Sequence, residues 1–331
     1  MVRVAILGAG RWGPNLLRCF QASPGCQVTR VVDLLPERLE ALAGRVPGVT
    51  LGVDPEAVFA DPGVDAVAIA TPTSTHAALA RRALQAGQHV LVEKPLAACL
   101  ADAVALEALA RDARRVLLVG HVYRFHEGAR RFGQLLARGE LGRLHSLSLE
   151  RTHLGPIRTD ADVVLDLASH DVSLLLAWLG RPPEAVRAVG GAFLAPGLAD
   201  ELHATLQYPG GPLVGLHASW LWPRRARRAT AVGSLGMLEL DDLDLAAPLR
   251  LHRYQGPVGS PLLPAEPQPG LPGPEPLLTE VRHFLHCIAH GTPPLAGARH
   301  GVEVARILEA LQRSLAAGGE AVLVSADPES R

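Results

Sequence analysis

A glycine-rich turn caught between a strand and a helix constrains this chain more than any other feature. Residues Val2–Leu7 are apolar except for Arg3, and they run directly into Gly8-Ala9-Gly10-Arg11-Trp12-Gly13. A helical pattern takes over at once through Leu16, Leu17 and Phe20. Glycines at this spacing permit a tight turn and let a pyrophosphate approach the helix N-terminus, where free N–H groups and the helix dipole favour an anion. Twenty residues beyond Gly13, a strand over residues 28–32 ends at Asp33, where a carboxylate can accept hydrogen bonds from an adenosine ribose. GxGxxG alone is a weak signal. With a strand before it, a helix after it and an acid at this distance, it reads as a dinucleotide site.

The alternation continues. Helices are expected over residues 36–43 and 54–60, a strand over 64–70, a loop Thr71-Pro72-Thr73-Ser74-Thr75-His76 and a helix over 77–86. A short apolar strand then ends at Glu93-Lys94-Pro95, followed by a helix over 98–111 and a strand over 116–119. Strands alternating with helices of this length predict a doubly wound, parallel Rossmann sheet in an α/β domain. Such sheets bind ligands at the carboxyl ends of their strands. The candidate cofactor-binding residues are therefore Gly8, Gly10, Arg11, Trp12, Gly13, Asp33, Thr71, Pro72, His76, Glu93, Lys94 and His121. NAD is expected over NADP, because Asp33 would repel a 2′-phosphate and Leu34 and Leu35 offer it no cation. Arg11 and Arg38 are the cations that could reach such a phosphate.

Lys94 stands out by composition. Of 32 lysines and arginines it is the single lysine. A guanidinium is effectively always charged, whereas a compact ammonium can shift its pKa and move a proton. The following proline restricts Lys94 to extended backbone, so its side chain leaves the strand end in a defined direction.

The chain's 331 residues, 48% of them hydrophobic, suffice for two domains, read here as 1–120 and 121–331, with the last helices free to pack back on the first domain. A net charge of −1 supplies no basic field for nucleic acid or anionic membrane. No run approaches a membrane span or a signal peptide. Cys19, Cys26, Cys99 and Cys287 form no CxxC pair and fit thiols in a reducing compartment, so a cytoplasmic location is expected.

The second half changes character. A connecting helix over 127–138 precedes strands over 144–154, 185–194, 201–208, 212–222, 228–241 and 249–254, with Pro209-Gly210-Gly211 joining two of them as a hairpin. This predicts an α+β domain with a mostly antiparallel, open sheet. One face would rest on helices and the other on a second subunit, making a homodimer or homotetramer. A helix over 161–179 carries an apolar stripe, with Asp166 and His170 four residues apart on another face and Ser173 nearby. Arg224-Arg225-Ala226-Arg227-Arg228 is the one dense basic cluster, and strand alternation would put Arg225 and Arg227 together. Residues 256–276 hold eight prolines and read as an exposed loop. Helices over 277–290 and 299–317 and a short apolar segment over 321–324 close the chain. His283, His286 and His290 share helical spacing, but no carboxylate or cysteine set completes a metal site there, and none is expected.

Residues 8–15 (Gly-Ala-Gly-Arg-Trp-Gly-Pro-Asn), Ala70-Thr71-Pro72-Thr73-Ser74-Thr75-His76 and Glu93-Lys94-Pro95 together resemble the glucose–fructose oxidoreductase/inositol dehydrogenase (Gfo/Idh/MocA) family, over essentially the whole chain. The resemblance implies an NAD(P)-dependent oxidoreductase of sugars or cyclitols, with Lys94 beside the nicotinamide and a cis Lys94–Pro95 bond. Asp166-Leu167-Ala168-Ser169-His170-Asp171 resembles the family's second signature, on a helix facing the nicotinamide across the domain cleft. The family's paired glycines upstream are here Val163-Val164. By this resemblance His170 takes the hydroxyl proton, Lys94 stabilises the same oxygen, and Asp166 orients the substrate or the imidazole. Ser219-Trp220-Leu221-Trp222-Pro223 with the arginines after it resembles the branch acting on nucleotide sugars. It implies a UDP-linked amino sugar oxidised at its 3-hydroxyl, with Tyr123, Arg225 and Arg227 as substrate residues. A free sugar or inositol substrate, or a non-catalytic nicotinamide-binding sensor, are the alternatives.

Overall fold

The computed structural model describes residues 1–155, 157–269, 271 and 273–324. The chain divides into two units: Met1–Phe125 with Glu275–Ala305, and His126–Pro274 with the chain from Arg306 onward. The first stretch holds β1 (Val2–Leu7), α1 (Gly13–Gln21), β2 (Cys26–Val32), α2 (Pro36–Glu40), β3 (Thr50–Gly52), α3 (Glu56–Phe59), β4 (Ala66–Ile69), α4 (Thr73–Gln85), β5 (His89–Glu93), α5 (Leu100–Asp112) and β6 (Leu117–Gly120). Then come α6 (Glu127–Ala137), β7 (Leu144–Leu154), α7 (Ser169–Leu179), β8 (Ala185–Gly191), β9 (Glu201–Gln207), β10 (Leu213–Ser219), β11 (Leu221–Gly233), β12 (Gly236–Asp241), β13 (Leu249–Arg253) and β14 (Glu266–Pro267). The last elements are α8 (Pro276–His290), α9 (Ala298–Ala316) and β15 (Val322–Leu323).

In the first unit the six strands run parallel in the order β3-β2-β1-β4-β5-β6. This is the doubly wound arrangement expected from the alternation of elements. Both faces are covered, so strand sequences are continuously apolar and the pleat sorts them into two cores. Ala5, Leu7, Val67, Ile69, Val90 and Val92 enter one with Ala80, Leu84 and Leu106. Val4, Ile6, Ala66, Ala68, Leu91 and Leu118 enter the other with Leu16, Phe20, Val281 and Phe284. Each fully buried side chain of this size contributes about 1.5–3 kcal/mol relative to leaving it exposed. The α8 segment is therefore part of this unit's core, with Phe284 set edge-on to Phe20 at 6.4 Å.

One boundary departs from expectation. α4 begins at Thr73, so the loop read over residues 71–76 is mostly the helix's first turn. Pro72 is held extended at ψ 145° and stops the helix from starting earlier. The Thr75 hydroxyl closes the turn by donating to the Pro72 carbonyl at 2.7 Å.

The second unit is built on a nine-stranded sheet in the order β14-β13-β12-β11-β7-β10-β9-β8-β15. Only the β7–β10 pair is parallel, so the sheet is mostly antiparallel. Alternation along β9 buries Leu202, Ala204 and Leu206 and leaves Glu201, His203 and Thr205 on the other face. The Pro-rich segment expected as a loop supplies β14, which extends β13 by two residue pairs. A run read as one strand over 212–222 is broken at Trp220, and β11 then continues through the arginines with a register shift between Leu221 and Ala226.

The helix read over 161–179 is also divided. Val164–Ala168 form a π-helical turn, and α7 starts only at Ser169. A π turn inserts an extra residue and re-aims everything after it. The Asp162 carboxylate accepts the Leu165 N–H at 2.8 Å and holds the start of the turn. α7 is tied to the sheet by Asp171, whose Oδ1 accepts from Arg151 Nε at 3.0 Å and an Arg151 Nη at 2.7 Å. Burial raises the Asp171 pKa against the pull of that arginine. No helix among the described residues is long and apolar enough to cross a membrane.

His89 makes the first unit's stability pH-dependent. Its Nδ1 accepts the Val116 N–H at 3.0 Å, and burial with Arg115 nearby pulls the imidazole down from 6.5 to about 4. Between those values the unfolded chain binds a proton that the folded chain does not. Stability therefore falls as pH drops through that window. Urea midpoints measured across it should decline for the wild-type protein and decline less for His89→Asn. An equally steep decline in the variant would show that His89 is not the source.

Candidate active site

The site begins with backbone that tolerates no side chain. Gly8 has φ +96°, and a Cβ there would stand 2.5 Å from the Ala70 carbonyl oxygen. A Cβ on Gly13 would stand 2.0 Å from the Gly8 carbonyl oxygen. Gly10 differs: its Cβ position meets nothing nearer than Arg38 Nη1 at 3.6 Å. Two of the three glycines are thus required by the turn itself, and the middle one leaves backbone open to a ligand. α1 follows without a side-chain cap; Pro14 has no N–H and the Asn15 N–H donates to the Trp12 carbonyl at 3.0 Å, so among its first three residues the Gly13 N–H is the one left for an anion.

Asp33 braces this turn. Its Oδ2 accepts the Ala9 N–H at 2.7 Å and Arg38 Nη1 at 3.3 Å, and its Oδ1 accepts the Leu35 N–H at 2.9 Å. Burial alone would raise its pKa, but the hydrogen bonds from Leu35, Ala9 and Arg38 outweigh it and hold the carboxyl below its ordinary value. Asp33 is therefore an anion with acceptor capacity left for a ribose. Arg11 and Trp12 are exposed beside the turn.

The neighbouring strand ends form the rest of this unit's site. Thr71 Oγ1 lies 2.6 Å from Thr75 Oγ1, next to the extended Pro72. The Lys94–Pro95 bond is cis. His76 is buried, with Nδ1 2.8 Å from the Pro95 carbonyl oxygen and Nε2 3.0 Å from that of Thr71. Its two ring nitrogens face backbone carbonyls of different loops, and the ring links the loop after β4 to the loop after β5. Glu93 and Lys94 are half-buried at the end of β5. Glu93 packs on Gly120, where a Cβ would meet Glu93 Oε2 at 3.2 Å.

His121 is buried, and both of its ring nitrogens lack a hydrogen-bond partner among the described residues. Burial, with His300, Arg124 and Lys94 adding to it, lowers its pKa well below the usual imidazole range. Its ring meets His300 edge-on at 5.5 Å, and Arg124 Nη1 lies 3.3 Å from His300 Nδ1. Burial and Arg124 take His300 down to about 3. From α8, Glu280 is fully buried with neither carboxyl oxygen paired among the described residues. Burial and the nearby Glu93 push its pKa well up, favouring the neutral acid. Glu280 and His300 escaped the sequence reading because they arrive from a segment far along the chain. Tyr123 sits half-buried in the 3₁₀ turn Val122–Phe125 after β6.

The second unit carries the other candidates. Asp166 lies in the π turn, accepting from Arg158 Nη1 at 3.0 Å and from the buried Trp220 indole Nε1 at 3.2 Å. His170 is half-buried one turn later at the start of α7. Burial lowers the pKa of His153, on β7, against the Gly155 backbone hydrogen bond and the charge of Asp166, which raise it, while Arg225 and Arg227 lower it further. The arginine run lies beside β7, with Ala226 in register with Thr152 and Arg227 with Arg151. Arg225 is exposed, whereas Arg227 is half-buried and donates to Asp242 at 3.1 Å. Arg158 and His153 had no motif to announce them.

The cradle that a Cβ would fill, the anionic Asp33 at the end of β2 and the unpaired His121 fit a dinucleotide held across the strand ends. Fold and cradle together define a nicotinamide-dependent oxidoreductase. Residues 2–121 match the model of the Gfo/Idh/MocA oxidoreductase family's NAD-binding Rossmann fold, and residues 129–239 match its C-terminal domain. The chain belongs to the Gfo/Idh/MocA family. It is 31% identical to UDP-N-acetylglucosamine 3-dehydrogenase of Acidithiobacillus ferrooxidans, over 93% of this chain and 95% of that one. The solved structure of UDP-N-acetylglucosamine 3-dehydrogenase GnnA from that organism superposes with a TM-score of 0.81 at 29% identity, covering 96% of this chain and 98% of that one. Inositol 2-dehydrogenase 2 of Paenarthrobacter aurescens is 29% identical over 98% of this chain and 99% of that one.

The glycines separate by substitution. Gly13→Ala should lower Tm and abolish NADH binding in fluorescence titrations, since overpacking of this kind costs about 1–3 kcal/mol. Gly10→Ala should keep the wild-type Tm and lose affinity only. Equal Tm losses in both would mean that Gly10 is structural too.

Proposed function

We propose that the protein oxidises the 3-hydroxyl of a UDP-linked amino sugar with NAD. The observation that carries this reading is the path of β11: Trp220, whose indole donates to Asp166, leads straight into the arginine run, which lies beside β7 with Ala226 in register with Thr152. It puts guanidinium groups, which bind phosphate oxygens bidentately, near a carboxylate of the second signature. The full-length similarity to a UDP-N-acetylglucosamine 3-dehydrogenase supports it. A second reading, oxidation of inositol or a free sugar, draws on the comparable similarity to an inositol 2-dehydrogenase.

When bound, NAD supplies the acceptor for the hydride that leaves the carbinol carbon. Gly8, Gly10 and Gly13 with the start of α1 hold its pyrophosphate, and Asp33 holds its adenosine ribose. The Asp33 anion disfavours a 2′-phosphate, and Arg38, the cation nearest to it, is already drawn to Asp33. His170 accepts the hydroxyl proton, and Lys94 hydrogen-bonds the same oxygen as negative charge develops on it. Asp166, bound by Arg158 and Trp220, fixes this acid–base set in place. Tyr123 contributes to the sugar pocket, and Arg225 binds the diphosphate more freely than Arg227, which Asp242 already holds. The open face of the nine-stranded sheet, with Val189 and Leu213 56% and 69% exposed, joins copies into a dimer or tetramer. Four free thiols suit a cytoplasmic setting.

Lys94→Met and His170→Ala should each reduce turnover by ~10²–10⁴ while NADH affinity stays near wild type. Unimpaired turnover in either variant removes that residue from the chemistry, and loss of NADH binding in both makes them structural. NADH should bind more tightly than NADPH.

The substrate is tested by NADH formation with UDP-N-acetylglucosamine against free N-acetylglucosamine, glucose and myo-inositol. The nucleotide sugar should be preferred, and Arg225→Ala should lower kcat/KM for it alone. Preference for inositol or a free sugar, with Arg225→Ala indifferent, hands the assignment to the second reading.

A further inference from the structure

Cross-strand register on the second unit's sheet assembles a group that plays no part in the chemistry above. In the β9–β10 hairpin His203 stands opposite His217 and Glu201 opposite Ser219. On the other side of β10, His217 is in register with Glu150 of β7. These side chains project from the face opposite buried Leu202, Ala204, Ala218 and Trp220. Glu201 Oε1 lies 2.8 Å from His217 Nε2 and 3.0 Å from His203 Nε2. The two imidazoles stack with centroids 4.2 Å apart and planes 10° from parallel.

We propose that Glu201, His203 and His217 bind a divalent transition-metal ion of the zinc class. Two imidazoles and one carboxylate are the donor set that such ions accept, leaving a fourth position for water or an outside ligand. Bonds of about 2.0–2.1 Å at tetrahedral angles set ligand atoms about 3.3 Å apart. The 2.8 and 3.0 Å separations need only a few tenths of an ångström of opening, with the stacked rings tilting toward the ion.

The surroundings already orient the donors. His217 Nδ1 faces Glu150 Oε1 at 3.8 Å. Once an ion displaces the proton that His217 Nε2 donates to Glu201, a carboxylate in that place favours the remaining proton on Nδ1, as outer-shell partners of metal-bound histidines do. Ser219 Oγ donates to Glu201 Oε2, which leaves Oε1 as the oxygen turned toward both rings. The Trp222 ring meets His217 edge-on at 5.0 Å and limits its rotation. Glu201 and His217 are 15% and 16% exposed, whereas His203 is 53% exposed. Within one chain the site is thus built on one side and open on the other, on the same sheet face proposed to join copies, where a shallow depression of about 460 Å³ borders it and a partner copy could supply the fourth ligand. Reading the sequence for helical histidine spacing pointed away from this group. The ligands alternate on one strand, Glu201 and His203, and the third returns across the hairpin.

The full chain, stripped with a chelator and dialysed metal-free, would be titrated with Zn²⁺ by calorimetry and with Co²⁺ by visible absorption. One equivalent per chain should bind, and Co²⁺ should give the intense d–d bands of a tetrahedral site. His203→Ala, at a half-exposed position that the fold does not need, should abolish saturable uptake, and His217→Gln should do the same. Glu150→Gln should weaken binding by ~10–100-fold by removing the carboxylate that faces His217 Nδ1. His286→Ala, on α8, should leave uptake unchanged. Far-UV circular dichroism identical to wild type shows that each variant is folded. Absence of one-equivalent uptake, or uptake indifferent to His203→Ala and His217→Gln, overturns the proposal and leaves a hydrogen-bonded Glu–His cluster. Loss of uptake in His286→Ala would overturn it equally, by moving the metal to α8.

Discussion

The architecture rests on an approach between two backbones that excludes even a methyl group. Gly13 at the start of α1 lies so near the Gly8 carbonyl that a Cβ could not exist between them. That closeness sets α1 directly behind β1 and leaves its N-terminus pointing over the strand ends. Asp33 then acts as a bolt, binding the turn at Ala9 and its own loop at Leu35. A carboxylate kept anionic by those N–H groups shapes the turn and sets a negative charge at the end of β2.

The same economy recurs at the other strand ends. His76 reaches two carbonyls from different loops, so the loop after β4 and the Lys94 loop cannot move independently. Behind them the first unit holds His121, His300 and Glu280 in the protonation states that burial favours. A group kept neutral by desolvation neither repels Lys94 nor competes with it for an anion. In the second unit the order is reversed: Asp166 and Asp171 keep arginine partners, and the π turn between sheet and α7 decides where His170 emerges.

What could be read from the sequence was whatever is local. The Gly8–Gly13 turn, the apolar strands, the single lysine and the Leu144–Leu154 strand each carry their signal within a few residues, and each appears where the pattern placed it. The start of α4 was hidden because Thr-Ser-Thr after a proline fits a loop and a helix N-terminus equally well. The π turn has no periodicity of its own to detect, and Val163-Val164 gave no hint of it. His300, Glu280, Arg158 and the His203–His217 pair depend on contacts between distant segments, which one sequence does not display. The six-stranded order follows from topology rules, whereas the parallel β7–β10 pair inside an otherwise antiparallel sheet does not.

The return of residues Glu275–Ala305 to the first unit bears on how the protein comes into being on the ribosome. Leu16 and Phe20 of α1 emerge first, but the α8 side chains that cover them, Val281 and Phe284, follow about 260 residues further along the chain. At about 5–20 residues per second, the nascent Rossmann sheet waits on the order of ten seconds or more with one apolar face bare. Throughout that interval it is a natural client for a chaperone, even though the finished unit is well buried. The unit begun by α1 is finished only when a segment translated after most of the second unit's strands has joined it.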